Sequence, residues 1–273
     1  MSKKTLFRWI KVFVLLYCLV GIALYYGQER LIFAPVRLEA GTPYSFKQPF
    51  TELNLNYDSS TNLNVVEFRA TDRPADSLAK GVVLFFHGKG GNIASYAPDV
   101  PNFTANGYEV WLMDYPGYGK STGPHDEASL YKYSLVFYKL ARSRWQPNQI
   151  ILCGKSLGTA IAAQLAAVRD CRRLILESPY YSLTSIGWRR FPIYPIGMMM
   201  HYRFPTYEYL PRVTAPITIF QGDGDRTIPP SNSARLKPLL KPGDEYVTVE
   251  GAGHNDLYTF PHFHQKLDSL LRL

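Results

Sequence analysis

Apolar residues along this chain follow three spacings, and each predicts a different element. Thr51 to Tyr57 and Leu63 to Phe68 alternate apolar with polar residues. The turn-forming stretch Asp58-Ser59-Ser60-Thr61-Asn62 lies between them, so the pair reads as an antiparallel hairpin. Continuous apolar runs then recur at Val82–Phe86, Val110–Met113, Ile150–Leu152 and Leu174–Leu176. Such runs suit parallel strands covered on both faces. Helical spacing separates them near Ile93 to Ala105, Glu127 to Ala141 and Leu157 to Val168. Strand character returns at Ile217–Phe220 and Tyr246–Val249, each followed by a predicted helix. The alternation predicts an α/β fold with a mostly parallel, doubly wound sheet.

Two stretches break this rhythm. Val12 to Tyr26 is apolar all round and follows Lys3, Lys4, Arg8 and Lys11. It is slightly short for a ~30 Å hydrocarbon core, with Trp9 and Lys11 able to extend it by sitting in the headgroup layer and by snorkelling. One N-terminal transmembrane helix is therefore expected, with its basic end cytoplasmic and everything after Gln28 extracytoplasmic. A signal peptide cleaved near Gly21-Ile22-Ala23, giving a secreted protein, is the alternative, although Leu24-Tyr25-Tyr26 carries the apolar run past that point. The second stretch, Tyr181 to Leu210, crowds Trp188, Phe191, Tyr194, Met198, Met199 and Met200 between prolines. So many aromatics and methionines predict a short cap whose inner side forms an acyl-binding wall, with Trp188 and Met199 as substrate-binding candidates. The expected organisation is an anchor over 1–28, a lead-in linker over 29–50 and one enzyme domain over 51–273, with the cap at about 181–210.

Composition narrows the partners. The 273 residues are 46% hydrophobic, enough for one large core. The formal charge of +8 is spread along the chain, without the basic run interleaved with aromatics that a nucleic-acid groove needs. It suits an anionic membrane surface instead, and no nucleic-acid partner is expected. Cys18, Cys153 and Cys171 follow no zinc-ligand spacing, so neither metal nor other cofactor is expected.

The chemistry is concentrated in loops that follow strands. Gly154-Lys155-Ser156-Leu157-Gly158 lies between an apolar strand and a run of small helical residues. In a strand–G-x-S-x-G–helix turn the serine hydroxyl projects at the strand's carboxyl end. A serine hydroxyl needs a base, and the base an orienting carboxylate. Asp223 and Asp225 follow the strand ending at Phe220, and His254 follows the strand ending at Val249. The chain order Ser, Asp, His fits Ser156 as nucleophile and His254 as base. Two backbone N–H donors are also required for the oxyanion. Leu157 supplies one, and Lys89, or alternatively Gly90, supplies the other from His87-Gly88-Lys89-Gly90-Gly91-Asn92. His87 is expected to brace that loop.

These motifs, together with Asp114-Tyr115-Pro116-Gly117-Tyr118-Gly119-Lys120-Ser121, resemble the α/β-hydrolase superfamily. Within it the chain is similar to the serine aminopeptidase-like (S33-like) or abhydrolase-domain branch, which includes membrane-anchored lipases and thioesterases. The resemblance runs from about Thr51 to the C-terminus. It implies Asp225, in the spacing G-x-x-D-x-x-I-P, as the acid, and Asp114 to Gly119 as a structural loop beside the site. Lys89 departs from the uncharged residue common at its position. The expected activity is hydrolysis of acyl esters or thioesters by a monomer acting on a small acyl or lipid substrate. A serine peptidase and a non-catalytic α/β-hydrolase scaffold are the alternatives.

Overall fold

The computed structural model describes residues 2–71 and 78–272. The alternating segments pair as β1 (Phe50–Asn56) and β2 (Asn62–Phe68), antiparallel from Phe50 opposite Phe68 to Asn56 opposite Asn62. Asp58 closes the turn, its Oδ1 accepting from the backbone N–H groups of Ser60 and Thr61, both at 2.8 Å. Six further strands follow: β3 (Gly81–Phe86), β4 (Tyr108–Met113), β5 (Ile150–Lys155), β6 (Arg173–Glu177), β7 (Ile217–Gly222) and β8 (Glu245–Val249). They complete one eight-stranded sheet in the order β1-β2-β4-β3-β5-β6-β7-β8, parallel from β4 to β8.

Every residue of β3, β5 and β7 is buried, as the continuous apolar runs require. Alternate residues feed opposite layers. Val82, Leu84 and Phe86 join one apolar cluster with Phe137 and Ile161, while Val83 and Phe85 join another with Phe103 and Phe263. Phe137 belongs to α2 (Glu127–Arg142) and Ile161 to α3 (Gly158–Ala166). Strand order changes direction around β3, and an open α/β sheet presents its ligand crevice at the strands' carboxyl ends there.

Local chemistry alters three expected elements. The helix expected near Ile93 to Ala105 is broken into Ile93–Tyr96, a 3₁₀ turn over Ala97–Asp99, and Pro101–Thr104. Pro98 and Pro101 each lack the N–H that one continuous helix would use. The cap is more ordered than its spacing suggests. It holds α4 (Leu183–Arg190), α5 (Ile196–Met199) and α6 (Thr206–Tyr209). Ser182 and Ser185 cap the start of α4 reciprocally, each side chain accepting from the other's backbone N–H. Several aromatics expected in a substrate wall are core instead, with Phe204 fully buried beside Tyr202 and Tyr209.

The third difference is at the N-terminus, where α1 runs from Lys3 to Ile32, past the expected boundary at Gln28. Glu29 and Arg30 are good helix formers, and Phe33 N–H still donates to Glu29. This helix is long and apolar enough to cross a membrane. Its later half is docked on the cap. The Tyr17 and Tyr194 rings stack with centroids 4.6 Å apart, and each hydroxyl donates to the other segment's backbone, at the Ile193 and Tyr17 carbonyls. A side chain at Gly21 would press on the Tyr194 ring at 3.2 Å. Tyr25 meets His201 edge-on, and buried Gln28 donates to the Met199 carbonyl and accepts from His201 N–H. The expected linker continues as a strap: Ala34–Pro35 pairs in parallel with Gly90–Gly91, and Phe33 is buried in the core.

Candidate active site

Ser156 occupies the turn between β5 and α3 with a positive φ of 51°, a conformation unfavourable to side chains other than glycine's. The flanking glycines are needed for space. A Cβ on Gly154 would lie 2.5 Å from the Gly158 carbonyl oxygen, and one on Gly158 would lie 2.0 Å from that of Phe86. Strand, turn and helix are thus pressed together, and the Ser156 backbone is tied to β6 through its N–H to the Glu177 carbonyl at 2.9 Å. The serine projects from the carboxyl end of the sheet.

His254, in the loop after β8, meets it there. His254 Nε2 lies 2.9 Å from Ser156 Oγ, and His254 Nδ1 lies 2.7 Å from Asp225 Oδ2. A carboxylate facing Nδ1 holds the imidazole proton on that nitrogen, which leaves Nε2 as an acceptor aimed at the serine hydroxyl. Asp225 is 3% exposed. Its Oδ1 accepts from the N–H groups of Thr227 and Ile228 at 2.8 Å, and Gln221 donates to Oδ2. Burial pushes its pKa up, but the hydrogen bond and charge of His254, with the Ile228 and Gln221 donors, outweigh burial and hold the carboxyl below its usual range. Asp223 faces elsewhere, its Oδ1 accepting from Gly251 N–H at 2.7 Å and bracing the turn that leads to His254.

The loop from His87 to Gly91 packs against this group. A Cβ on Gly88 would sit 3.5 Å from Ser156 Cβ. Each of its five carbonyls accepts a hydrogen bond. Tyr115 hydroxyl donates to His87, His87 Nδ1 to Gly88, and Tyr118 hydroxyl with Ala34 N–H to Lys89. Tyr96 hydroxyl donates to Gly90, and Val36 N–H to Gly91. Among the described residues, neither the Lys89 nor the Leu157 N–H has a protein acceptor. The arrangement holds carbonyls in place and leaves donors beside a serine. His87 is fully buried, stacked on Tyr96, against the tilted ring of Tyr115 and 3.5 Å from Asp114, where it braces the loop.

A cavity of about 740 Å³ opens over Ser156, Leu157 and His254. Met199 lines it, together with Ile186, Ile196 and Met200 of the cap. Trp188 does not. Its position on α4 turns it outward, 45% exposed, so the structure removes it from the candidate substrate contacts. Residues that sequence reasoning missed are Leu24, Gln28, Leu31 and Ile32 of α1, which form another part of the lining, and Tyr96 beside the loop. The spacing 24, 28, 31, 32 marks one face of a helix, but it is hidden where every face is apolar. Beneath the site, Lys155 pairs with Asp99 at 2.7 Å. Fully buried Glu177 accepts from Tyr258 and Cys153, and burial pushes it up to about 7.

The sheet order, the Ser156 turn and the strand-end loops define an α/β-hydrolase architecture. Residues 77–207 match the family described as serine aminopeptidase, S33. The chain is 32% identical over 176 residues to the uncharacterized protein Rv2307c of Mycobacterium tuberculosis, covering 64% of this chain and 63% of that protein. It is 30% identical over 194 residues to alpha/beta hydrolase domain-containing protein 17C of Xenopus tropicalis, covering 69% and 61%. The matches thus span less than two thirds of these relatives' lengths. The Pyrococcus furiosus esterase Pf2001 shares the fold, with a TM-score of 0.68 at 15% identity over 88% of this chain and 97% of that one. The chain belongs to the α/β-hydrolase superfamily.

Proposed function

We propose that this hydrolase is a membrane-anchored serine hydrolase of acyl esters or thioesters. The observation that carries the reading is the unbroken hydrogen-bond chain from Ser156 through His254 to buried Asp225, at the floor of a largely apolar cavity. Ser156 Oγ attacks the acyl carbonyl carbon while His254 Nε2 takes its proton. The oxyanion then receives the free N–H groups of Leu157 and Lys89, donors already held in place before charge develops. Protonated His254, steadied by Asp225, gives its proton to the departing alcohol or thiol. Water, deprotonated by the same nitrogen, releases the acyl group and restores Ser156.

Ester or thioester cleavage is favoured over aminopeptidase action by the charges around the cavity. The cationic side chains that line it are Lys89, Arg190 and Arg226, whereas the charge of Lys155, also in the lining, is paired with Asp99. A free α-ammonium group is poorly received there. Support for the anchor comes from α1, with Lys3, Lys4, Arg8 and Lys11 at the end that the positive-inside rule assigns to the cytoplasm. The test is to compare unmodified protein with Ser156→Ala on a medium-chain p-nitrophenyl ester and on an aminoacyl amide. Ester turnover that falls about a thousandfold or more in the variant supports the reading. Faster cleavage of the amide than of the ester by the unmodified protein contradicts it.

A further inference from the structure

The two helical stripes of α1 face different things. Tyr17, Gly21, Tyr25 and Gln28 lie on the stripe that docks against Tyr194, Met199 and His201 of the cap. Leu24, Gln28, Leu31 and Ile32, one position round the same helix, line the cavity above Ser156. An anchor that only tethered an enzyme would have no reason to form part of its site.

The docking also fixes depth. From Lys11 to Tyr17, α1 rises only about 9 Å, against a hydrocarbon core about 30 Å thick. If α1 crosses a membrane with Lys11 at one surface, the cap segment joined to it at Tyr17 is immersed in the hydrocarbon of the leaflet nearer Lys11, and the cavity-lining stretch from Leu24 to Ile32, about 20 to 32 Å along the helix, spans the opposite leaflet. The outer side of the cap fits that environment, with Ile193 65% and Met198 87% exposed. The cavity thereby faces acyl chains laterally. Its charged groups complete the picture: Arg190 and Arg226 form no ion pair among the described residues, and Lys89 Nζ rests 3.4 Å from the Leu31 carbonyl at the C-terminal end of α1.

We propose that the later half of α1 is a wall of the substrate site, and that the site takes a bilayer-borne acyl ester bearing an anionic head group. The acyl chain lies between Leu24 and Leu31 of α1 and Ile196 and Met199 of the cap, with Arg190 and Arg226 drawing in the negative head. This rests on the serine-hydrolase reading and deepens it.

The test uses the full chain in phospholipid vesicles and reads ratios of kcat/KM. For Leu24→Asn with Leu31→Asn, the ratio of lauroyl to acetyl ester turnover is expected to fall about tenfold. Leu24→Phe, which fills the cleft, is expected to shift the preferred acyl chain to shorter lengths, a change that a merely loosened helix does not produce. For Arg190→Gln with Arg226→Gln, the preference for an acylglycerol phosphate over the same acylglycerol without phosphate is expected to fall about tenfold. Fluorophosphonate labelling of Ser156 serves as the check that the site is assembled. Labelled protein whose chain-length and head-group ratios all stay within about twofold overturns this inference alone. Failure of the unmodified protein to label at Ser156 overturns the serine-hydrolase reading, and this inference with it.

Discussion

The strand-end loops and the cap are built by different means, although they enclose the same cavity. Ser156 and Asp225 follow fully buried strands and His254 follows the edge strand β8, and their positions are fixed by short backbone and side-chain hydrogen bonds. The cap consists of one two-turn helix and two single turns, joined to α1 by a tyrosine stack, a glycine and one glutamine. Rigid elements suit groups that must be aligned within tenths of an ångström, and separately packed short helices suit a surface that adapts to a chain. Substitutions in the two regions should therefore fail in different ways: the loops should lose turnover with little change in stability, and the cap should lose local order first.

The largest effect is expected at the acid. Asp225→Asn should lower kcat by about 10³ to 10⁴, because the imidazole loses the partner that fixes its proton, whereas Asp223→Asn should stay within about threefold. Steady-state kinetics on one ester checks both, and a reversed ranking would move the acid to the residue that braces Gly251.

Glu177, beneath the loops, ties that region to pH. Burial raises its folded pKa to about 7, above the ordinary glutamate value, so the folded state holds a proton that the unfolded state releases between those values. Stability should therefore fall as pH rises from about 4.5 to 7, by up to about 3 kcal/mol from this group. Glu177→Gln should flatten the dependence of Tm on pH over that window. A slope equal to that of the unmodified protein would show that Glu177 is ionised in the fold throughout.

The smallest effect is expected in the cap. Tyr194→Ala removes the stack on Tyr17 and one hydrogen bond, worth about 1 to 2 kcal/mol together. Hydrogen exchange should quicken over residues 183–202 while the sheet strands keep their protection. Uniform acceleration across the sheet would mean that cap and sheet open as one unit.

The sequence is most informative where one element dictates its own neighbours. Continuous apolar strands with loop chemistry at their ends are legible without a partner, which is why β3, β5, β7 and β8 and the three site loops lie where the spacing predicts. The break in the helix after Asn92 is legible too, because Pro98 and Pro101 interrupt a stretch whose apolar spacing is otherwise helical. The α1–cap junction is not. Its contacts join residues 17–28 to residues 193–201, and Tyr17, Gly21 and Gln28 carry no periodic signal within a run that is apolar on every side. Trp188 misled for the same reason, since composition says that a segment is aromatic and not which way each ring points.

The central claim is that Ser156, activated by His254, is the reacting group, and peptide mapping after fluorophosphonate treatment tests it most directly. One adduct on the peptide containing Ser156, lost in His254→Ala, is the predicted result. An adduct on another serine, or labelling of Ser156 that is equally fast without His254, would contradict it.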